Sequence, residues 1–200
     1  MLGIANTLKT LLNETRRVDF IAPLLLRLYL VPIFWMAGTK KWENFDSTVE
    51  WFGNSDWGLG LPFPLVLAFL ATWTEILGAI ALLLGAGLRW IAVPLMATML
   101  VAALTVHGEF GWQAIADPGA PFATERVMEA ADKLAYVKEV VQANADYDYL
   151  TSSGSLVILN NGIEFAATYF IMLFSLFFTG AGRFISVDYW FDKKIMTTQQ

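Results

Sequence analysis

Cysteine is absent from this 200-residue chain, and histidine occurs once. The first absence excludes disulfides, thiol nucleophiles and any Cys-ligated zinc or iron–sulfur centre built by this chain. The second excludes a bis-histidine haem site from a single copy. Charge is scarce too: Asp, Glu, Lys and Arg make up 16% of the residues, against about 25% in an average soluble domain. The net charge is −5 and no run of Lys or Arg occurs, so nucleic acid is not an expected partner. What is abundant is apolar. Hydrophobic residues reach 56% and the mean hydropathy is +0.53. A soluble domain of this length has too little interior to hide that surface. Lipid is the solvent that accommodates it.

Crossing about 30 Å of hydrocarbon takes roughly 20 mostly apolar residues at ~1.5 Å each. Four stretches qualify, at about residues 20–38, 61–84, 90–107 and 162–180. Pro32 and Pro94 fall inside two of them, where a kink is tolerated if neighbours re-satisfy the backbone. The short Gly85–Arg89 link makes a hairpin of the second and third. The expected fold is therefore all-α: a four-transmembrane-helix bundle over residues 20–190, with a helical outer loop. Residues 1–19 form a flanking segment and 191–200 a tail.

With four spans, both termini and the 85–89 turn share one side. That side carries Lys9, Arg16, Arg17, Arg89, Arg183, Lys193 and Lys194 against Glu14, Asp19, Asp188 and Asp192. The opposite connections hold Lys40, Lys41, Arg126, Lys133 and Lys138 among a large excess of acids. The positive-inside rule then puts the N- and C-termini in the cytoplasm, the chain being multi-pass in the inner (plasma) membrane. No cleavable signal peptide is expected, because the first apolar run begins late and has no small-residue cleavage site after it. Leu2, Ile4, Ala5, Leu8, Leu11 and Leu12 fall at helical spacing beside Lys9, a pattern for a short amphipathic helix on the inner surface.

On the outer side, Trp42, Trp51 and Trp57 suit the aromatic belt at headgroup level. The larger loop, 108–161, predicts a helix at about 125–142 with Thr124 as N-cap and Glu125 in its first turn. Val127, Ala131, Leu134 and Val141 share one face of it, as in a lid over the outer mouth; a solvated connector is the alternative. The acids of these loops make a protein partner on the outer face the natural expectation.

Ionisable groups at hydrocarbon depth cost from about 2.5 kcal/mol upward and seek partners inside the bundle. Arg27 lies ~10 Å above the inner edge by helical rise, and Glu75 about 9–15 Å above it. That coincidence predicts an Arg27–Glu75 pair. A structural latch is the plainer reading; a polar site for a quinone head group or for proton movement, with Trp73 and Thr74 beside it, is the sharper one. A second polar layer is expected at the outer mouth from Lys40, His107, Asn160, Asn161 and Glu164, as a ligand, partner or metal site or simply as interfacial side chains. Gly180, Gly182, Arg183, Ser186 and Asp188 suit a helix stop in which Arg183 meets the last carbonyls.

Arg27, the Gly38-Thr39-Lys40 helix end, Glu75-Ile76-Leu77-Gly78, the Gly85–Arg89 turn and the closing Gly180–Asp188 segment together resemble the DoxX family of small membrane proteins. The long acidic loop with Asn160-Asn161-Gly162-Ile163-Glu164 is similar to the subgroup found with copper-linked, ribosomally made modified peptides. The resemblance implies a four-helix bundle associated with redox- or quinone-linked membrane complexes. It implies an accessory or anchor subunit of a redox- or copper-linked peptide maturation system. The alternatives are a quinone-interacting oxidoreductase subunit, and a small metal or peptide transporter, which would need to oligomerise. A quinone is the cofactor the resemblance suggests. For copper, Met96 and Met99 offer soft thioethers, but methionines at that spacing are more often packing, and His107 is ~12 Å from Met99 by helical rise, too far to share one ion.

Overall fold

The computed structural model describes residue 6, residues 9–10 and residues 12–198. Most of the expected N-terminal amphipathic stretch, including Leu2, Ile4, Ala5, Leu8 and Leu11, lies outside the described residues. Among those described, the regular structure is helical. The α-helices are α1 (Ile21–Glu43), α2 (Phe45–Gly53), α3 (Pro64–Leu84), α4 (Leu88–Val101), α5 (Glu125–Asn144), α6 (Tyr147–Thr151), α7 (Glu164–Thr179) and α8 (Val187–Thr198). A π-helical segment, Ala102–Val106, prolongs α4.

Among the described residues, three helices are long and apolar enough to cross a membrane: α1, α3, and α4 with its π extension. The shorter apolar α7 has 16 residues, about 24 Å by helical rise, a shortfall that local bilayer thinning absorbs at modest cost. The chain is thus a helical membrane bundle. Its outward surface fits that solvent: Leu65, Phe69, Leu77, Leu84, Trp90 and Ile171 are all exposed.

The helix ends are set by local chemistry. α1 runs to Glu43, five residues past the expected Gly38, because Thr39, Lys40 and Lys41 continue the helical bonding and Asn44 ends it. What reads as a loop at 39–60 is therefore largely helical, α2 filling Phe45–Gly53. α3 starts at Pro64 rather than near Leu61, since Phe63 before it is left-handed (φ 52°) and Pro suits the first helical turn. Gly85, at φ 65°, closes α3 as an αL cap.

The chain divides into two compact units, residues 1–98 with 170–200, and residues 99–169. In the first, α1 and α3 run antiparallel along a stripe of small and apolar residues. Pro23, Arg27, Leu30, Phe34 and Gly38 are buried on α1, facing Ala68, Thr72, Glu75, Gly78, Ala79 and Leu82 on α3. Gly38 permits the closest approach: a Cβ there would stand 2.7 Å from Ile76 Cγ1 and 3.1 Å from Glu75 Cβ. Gly78 does the same for α4, where Leu95 Cδ2 would be 2.7 Å away. Small residues that let backbones approach are how apolar helices associate in lipid, where no hydrophobic drive separates helix from solvent.

In the second unit, α5 occupies the stretch expected to be a loop helix, with Val127 buried on it. Thr124 sits at the N-cap in extended conformation, but its hydroxyl makes no capping bond and is buried without a partner. The remainder is held by backbone pairing between 111–116 and 158–164, including Ala116 N–H to the Ile158 carbonyl at 3.0 Å and Glu164 N–H to Trp112 O at 2.9 Å.

Candidate functional site

Arg27 is 1% exposed, and its guanidinium reaches backbone, not a carboxylate. Nε donates to Leu82 O at 2.7 Å and Nη2 to Leu83 O at 2.9 Å. Nη1 donates to Ala181 O and to Ile185 O, each at 2.8 Å. The first two acceptors belong to the last turn of α3, whose carbonyls have no partner within the helix and carry the negative end of its dipole. The other two follow the end of α7. One planar fork of five N–H groups thus ties α1 to the ends of two other helices.

The surrounding turns are shaped to fit it. A Cβ on Gly85 would lie 2.7 Å from Arg27 Cζ and 2.7 Å from Ser186 Cβ. Gly182, at φ 86°, lets its backbone pass Pro23, 2.9 Å from where its Cβ would be. Asp188 accepts from Gly87 N–H at 2.6 Å and Leu88 N–H at 3.0 Å, capping the start of α4, where a carboxylate is favoured. Its own N–H returns to Gly85 O at 3.0 Å. The Ser186 hydroxyl accepts from Tyr189 N–H and donates to Gly182 O. Arg183 does not take the final carbonyls of α7, as its position suggests. It pairs with Asp19 at 2.7 Å and donates to the carbonyl of Arg16, while Arg89 bonds Phe178 O at 3.2 Å. Arg27, the 85–88 turn and the 180–188 segment form one knot.

Glu75 is 4% exposed and pairs with Lys41, whose Nζ lies 2.9 Å from Oε1 and 2.7 Å from Oε2. The expected Arg27–Glu75 pair is not formed. The two residues are not level: Glu75 packs beside Gly38, about 16 Å along α1 from Arg27 by helical rise, and helical side chains tilt toward their own N-terminus. On antiparallel helices Arg27 therefore points toward the 85–88 turn and Glu75 away from it. Lys41, at the far end of α1, tilts back toward Glu75, and the two converge. Also on α3, Trp73 Nε1 is buried with no hydrogen-bond partner; its ring meets Trp42 edge-on at 5.4 Å and Phe69 at 6.1 Å. A buried carboxylate held in an ion pair and an unspent indole donor thus both lie on α3.

The expected outer-mouth residues are divided between the two units. Lys40 belongs to the first unit, where its carbonyl accepts from Asn44. His107, Asn160, Asn161 and Glu164 belong to the second. His107 Nδ1 meets Asn161 O at 2.8 Å, which requires the proton on Nδ1 because a carbonyl only accepts. Asn160 is buried and fully engaged: Nδ2 donates to Phe110 O and Gln113 O at 2.8 Å, and Oδ1 accepts from Arg126 Nε at 3.2 Å. Glu164 Oε2 accepts from Ala114 N–H at 2.8 Å. These side chains fold the loop. A cleft of about 620 Å³ opens beside them, bordered by Trp112, Asp117, Phe122, Glu164 and Phe165. Met96 and Met99 lie on α4, Met99 buried. Among the described residues no group of three or more His, Cys, Asp or Glu is placed to hold a metal ion.

Residues 22–108 match the DoxX family model. The DoxX-matched segment contains Arg27, Lys41, Glu75, Trp73 and the 85–88 turn, so both polar loci rest on it; the 180–188 half of the knot lies beyond it. The inner membrane protein YphA of Escherichia coli (strain K12) is 37% identical over 87 residues, 41% of this chain and 59% of that protein. The chain therefore spans somewhat under two thirds of that relative. CatD of Bacillus subtilis (strain 168), whose name provisionally calls it an oxidoreductase, is 25% identical over 147 residues, 74% of this chain and 84% of that protein. No solved structure matches the chain.

Sequence reasoning missed Lys41, Arg126, Gln113 and the capping role of Asp188. Lys41 had a legible signal: the buried stripe 27-30-34-38 on α1 continues at 41, not 40. Arg126 and Gln113 had none, since their partners are loop backbone and the side chain of Asn160.

Proposed function

We propose that this chain is a DoxX-like, multi-pass inner-membrane accessory or anchor subunit of a redox-linked system. The observation that carries this reading is the Arg27 knot. The most deeply buried cation of the bundle is spent on four backbone carbonyls at helix ends, the work of a scaffold. The similarity of residues 22–108 to DoxX, to an inner membrane protein and to a protein named for oxidoreduction supports the membrane and the redox setting. The resemblance of the acidic loop to the copper-linked peptide subgroup supports peptide maturation as that setting. The basic excess around the 85–88 turn supports cytoplasmic termini.

A second reading is favoured by one specific feature, the buried, orphaned Trp73 Nε1 on α3, whose ring packs against Trp42. An indole N–H that accepts nothing and lacks an acceptor suits a quinone carbonyl. On this reading the chain is the quinone-interacting subunit of a membrane oxidoreductase, with its electrons drawn from a partner. Purification in mild detergent, followed by mass spectrometry of co-purified proteins and lipids, separates the two. The scaffold reading expects a stoichiometric protein partner with no quinone. The quinone reading expects a retained quinone that Trp73→Phe releases. Recovery of neither a partner nor a quinone would defeat both.

A further inference from the structure

The start of α8 and the end of α3 enclose a groove that neither reading uses. It measures about 560 Å³ and is lined by Leu83 and Leu84 on one side and by Val187, Trp190, Phe191 and Lys194 on the other. Leu83 and Leu84 are the last residues of a helix apolar enough to span a bilayer, and both are exposed. The groove is thus continuous with the lipid-facing surface of α3. On α8 the lining residues recur at i, i+3, i+4 and i+7, a single helical face. Asp188 is turned off that face by its bonds to Gly87 and Leu88. The indole N–H of Trp190 donates to Phe184 O at 2.8 Å, which fixes the ring, and Lys193 Nζ stands 5.2 Å from its centroid.

An exposed face of Val, Trp and Phe with a lysine at its rim is built to lie in the membrane interface, apolar side in the acyl region and ammonium at the headgroups. We infer that the groove holds an acyl chain of an anionic phospholipid from the surrounding bilayer, with Lys194 receiving the phosphate. Continuity with the span of α3 supplies the acyl path. The charge supplies the selectivity: Lys194 lines the groove, and Lys193 is its neighbour in sequence. A zwitterionic headgroup would bring its own cation against them.

The test uses the full chain in nanodiscs of equal phosphatidylglycerol and phosphatidylcholine, with the lipids retained after mild-detergent extraction quantified by mass spectrometry. Wild type retains phosphatidylglycerol in preference, Lys194→Gln lowers that preference about fivefold, the effect of one basic residue at a membrane surface, and Lys194→Arg keeps it. Equal retention of the two lipids by wild type, or an unchanged preference in Lys194→Gln, overturns the inference. Because the chain has no cysteine, single spin labels give a second readout. A label on Phe191→Cys is more accessible to oxygen than to a water-soluble nickel chelate, and one on Asp192→Cys the reverse. The opposite order, or dipolar broadening between Phe191→Cys labels on two chains, removes lipid as the occupant.

Discussion

Replacing Arg27 with methionine keeps a long flexible side chain in the bundle and removes every donor. Four charge-assisted hydrogen bonds disappear. The acceptors are not equivalent. The bonds to Leu82 O and Ala181 O are buried, whereas those to Leu83 O and Ile185 O are partly buried, where water can return. Two orphaned buried carbonyls at ~1–3 kcal/mol each set the loss at about 2–6 kcal/mol, and relief from desolvating a buried guanidinium places it toward the lower end of that range. Equilibrium unfolding in mixed micelles, followed by far-ultraviolet circular dichroism, measures it. Arg27→Lys keeps the charge but not the planar fork, and falls between wild type and Arg27→Met. Gly85→Ala drives a methyl group into the guanidinium and toward Ser186 Cβ at a left-handed backbone. Combining it with Arg27→Met therefore costs less than the sum of the two losses, but only by the guanidinium's share, as expected of groups sharing one contact. A loss below about 1 kcal/mol in Arg27→Met, or simple additivity with Gly85→Ala, would refute the view that the knot holds the bundle.

Lys41→Met leaves Glu75 buried without its cation and costs about 3–5 kcal/mol; the double variant Lys41→Met/Glu75→Leu recovers most of that, as the same unfolding assay shows. Asp188→Ala removes the cap of α4 and costs about 1–2 kcal/mol, with faster amide hydrogen exchange at Gly87 and Leu88 while α1 stays protected. Gly38→Val places a branched side chain within contact of Ile76 and Glu75, and overpacking of about 1–3 kcal/mol results. A nitroxide pair spanning α1 and α3 near residues 38 and 76 reports the widened separation.

The membrane bundle was legible because its signal is cumulative. A run such as 64–84 with Glu75 as its single charge has few other solutions, and Gly85 with Gly87 marks the turn without ambiguity. The second unit was legible only as α5. Its remaining order comes from backbone pairing around Asn160 and from Gly162, whose missing Cβ lets it pass the carbonyl of Gln113, 2.5 Å from that position. A sequence does not announce which asparagine will be surrounded by carbonyls. The end of α1 shifted because Thr39–Lys41 look polar enough to stop a helix, but the Thr39 hydroxyl bonds Trp35 O and Lys41 reaches Glu75, so the helix continues. The start of α3 shifted because Phe63 is left-handed.

The polar residues teach a sharper lesson, because the expected pair was wrong while both of its members were rightly singled out as buried. Counting residues from assumed helix ends set Arg27 and Glu75 level, whereas Glu75 stands beside Gly38, about 16 Å along α1 from Arg27. A salt bridge is moreover made where the side chain ends. In antiparallel spans the N-terminal tilt sends side chains on the two helices in opposite directions, so a residue meets a partner offset toward the tips. For Glu75 that offset selects the residue one turn beyond Gly38 on the buried stripe of α1, which is Lys41. Arg27 stands beside the last turn of α3, well away from Glu75, and there the acceptors are carbonyls. A guanidinium suits that destination better than an ammonium, since its fork addresses several fixed acceptors at once. This is why Arg27, Gly85, Gly182 and Asp188, far apart in the chain, read as separate weak motifs and fold into one structural element.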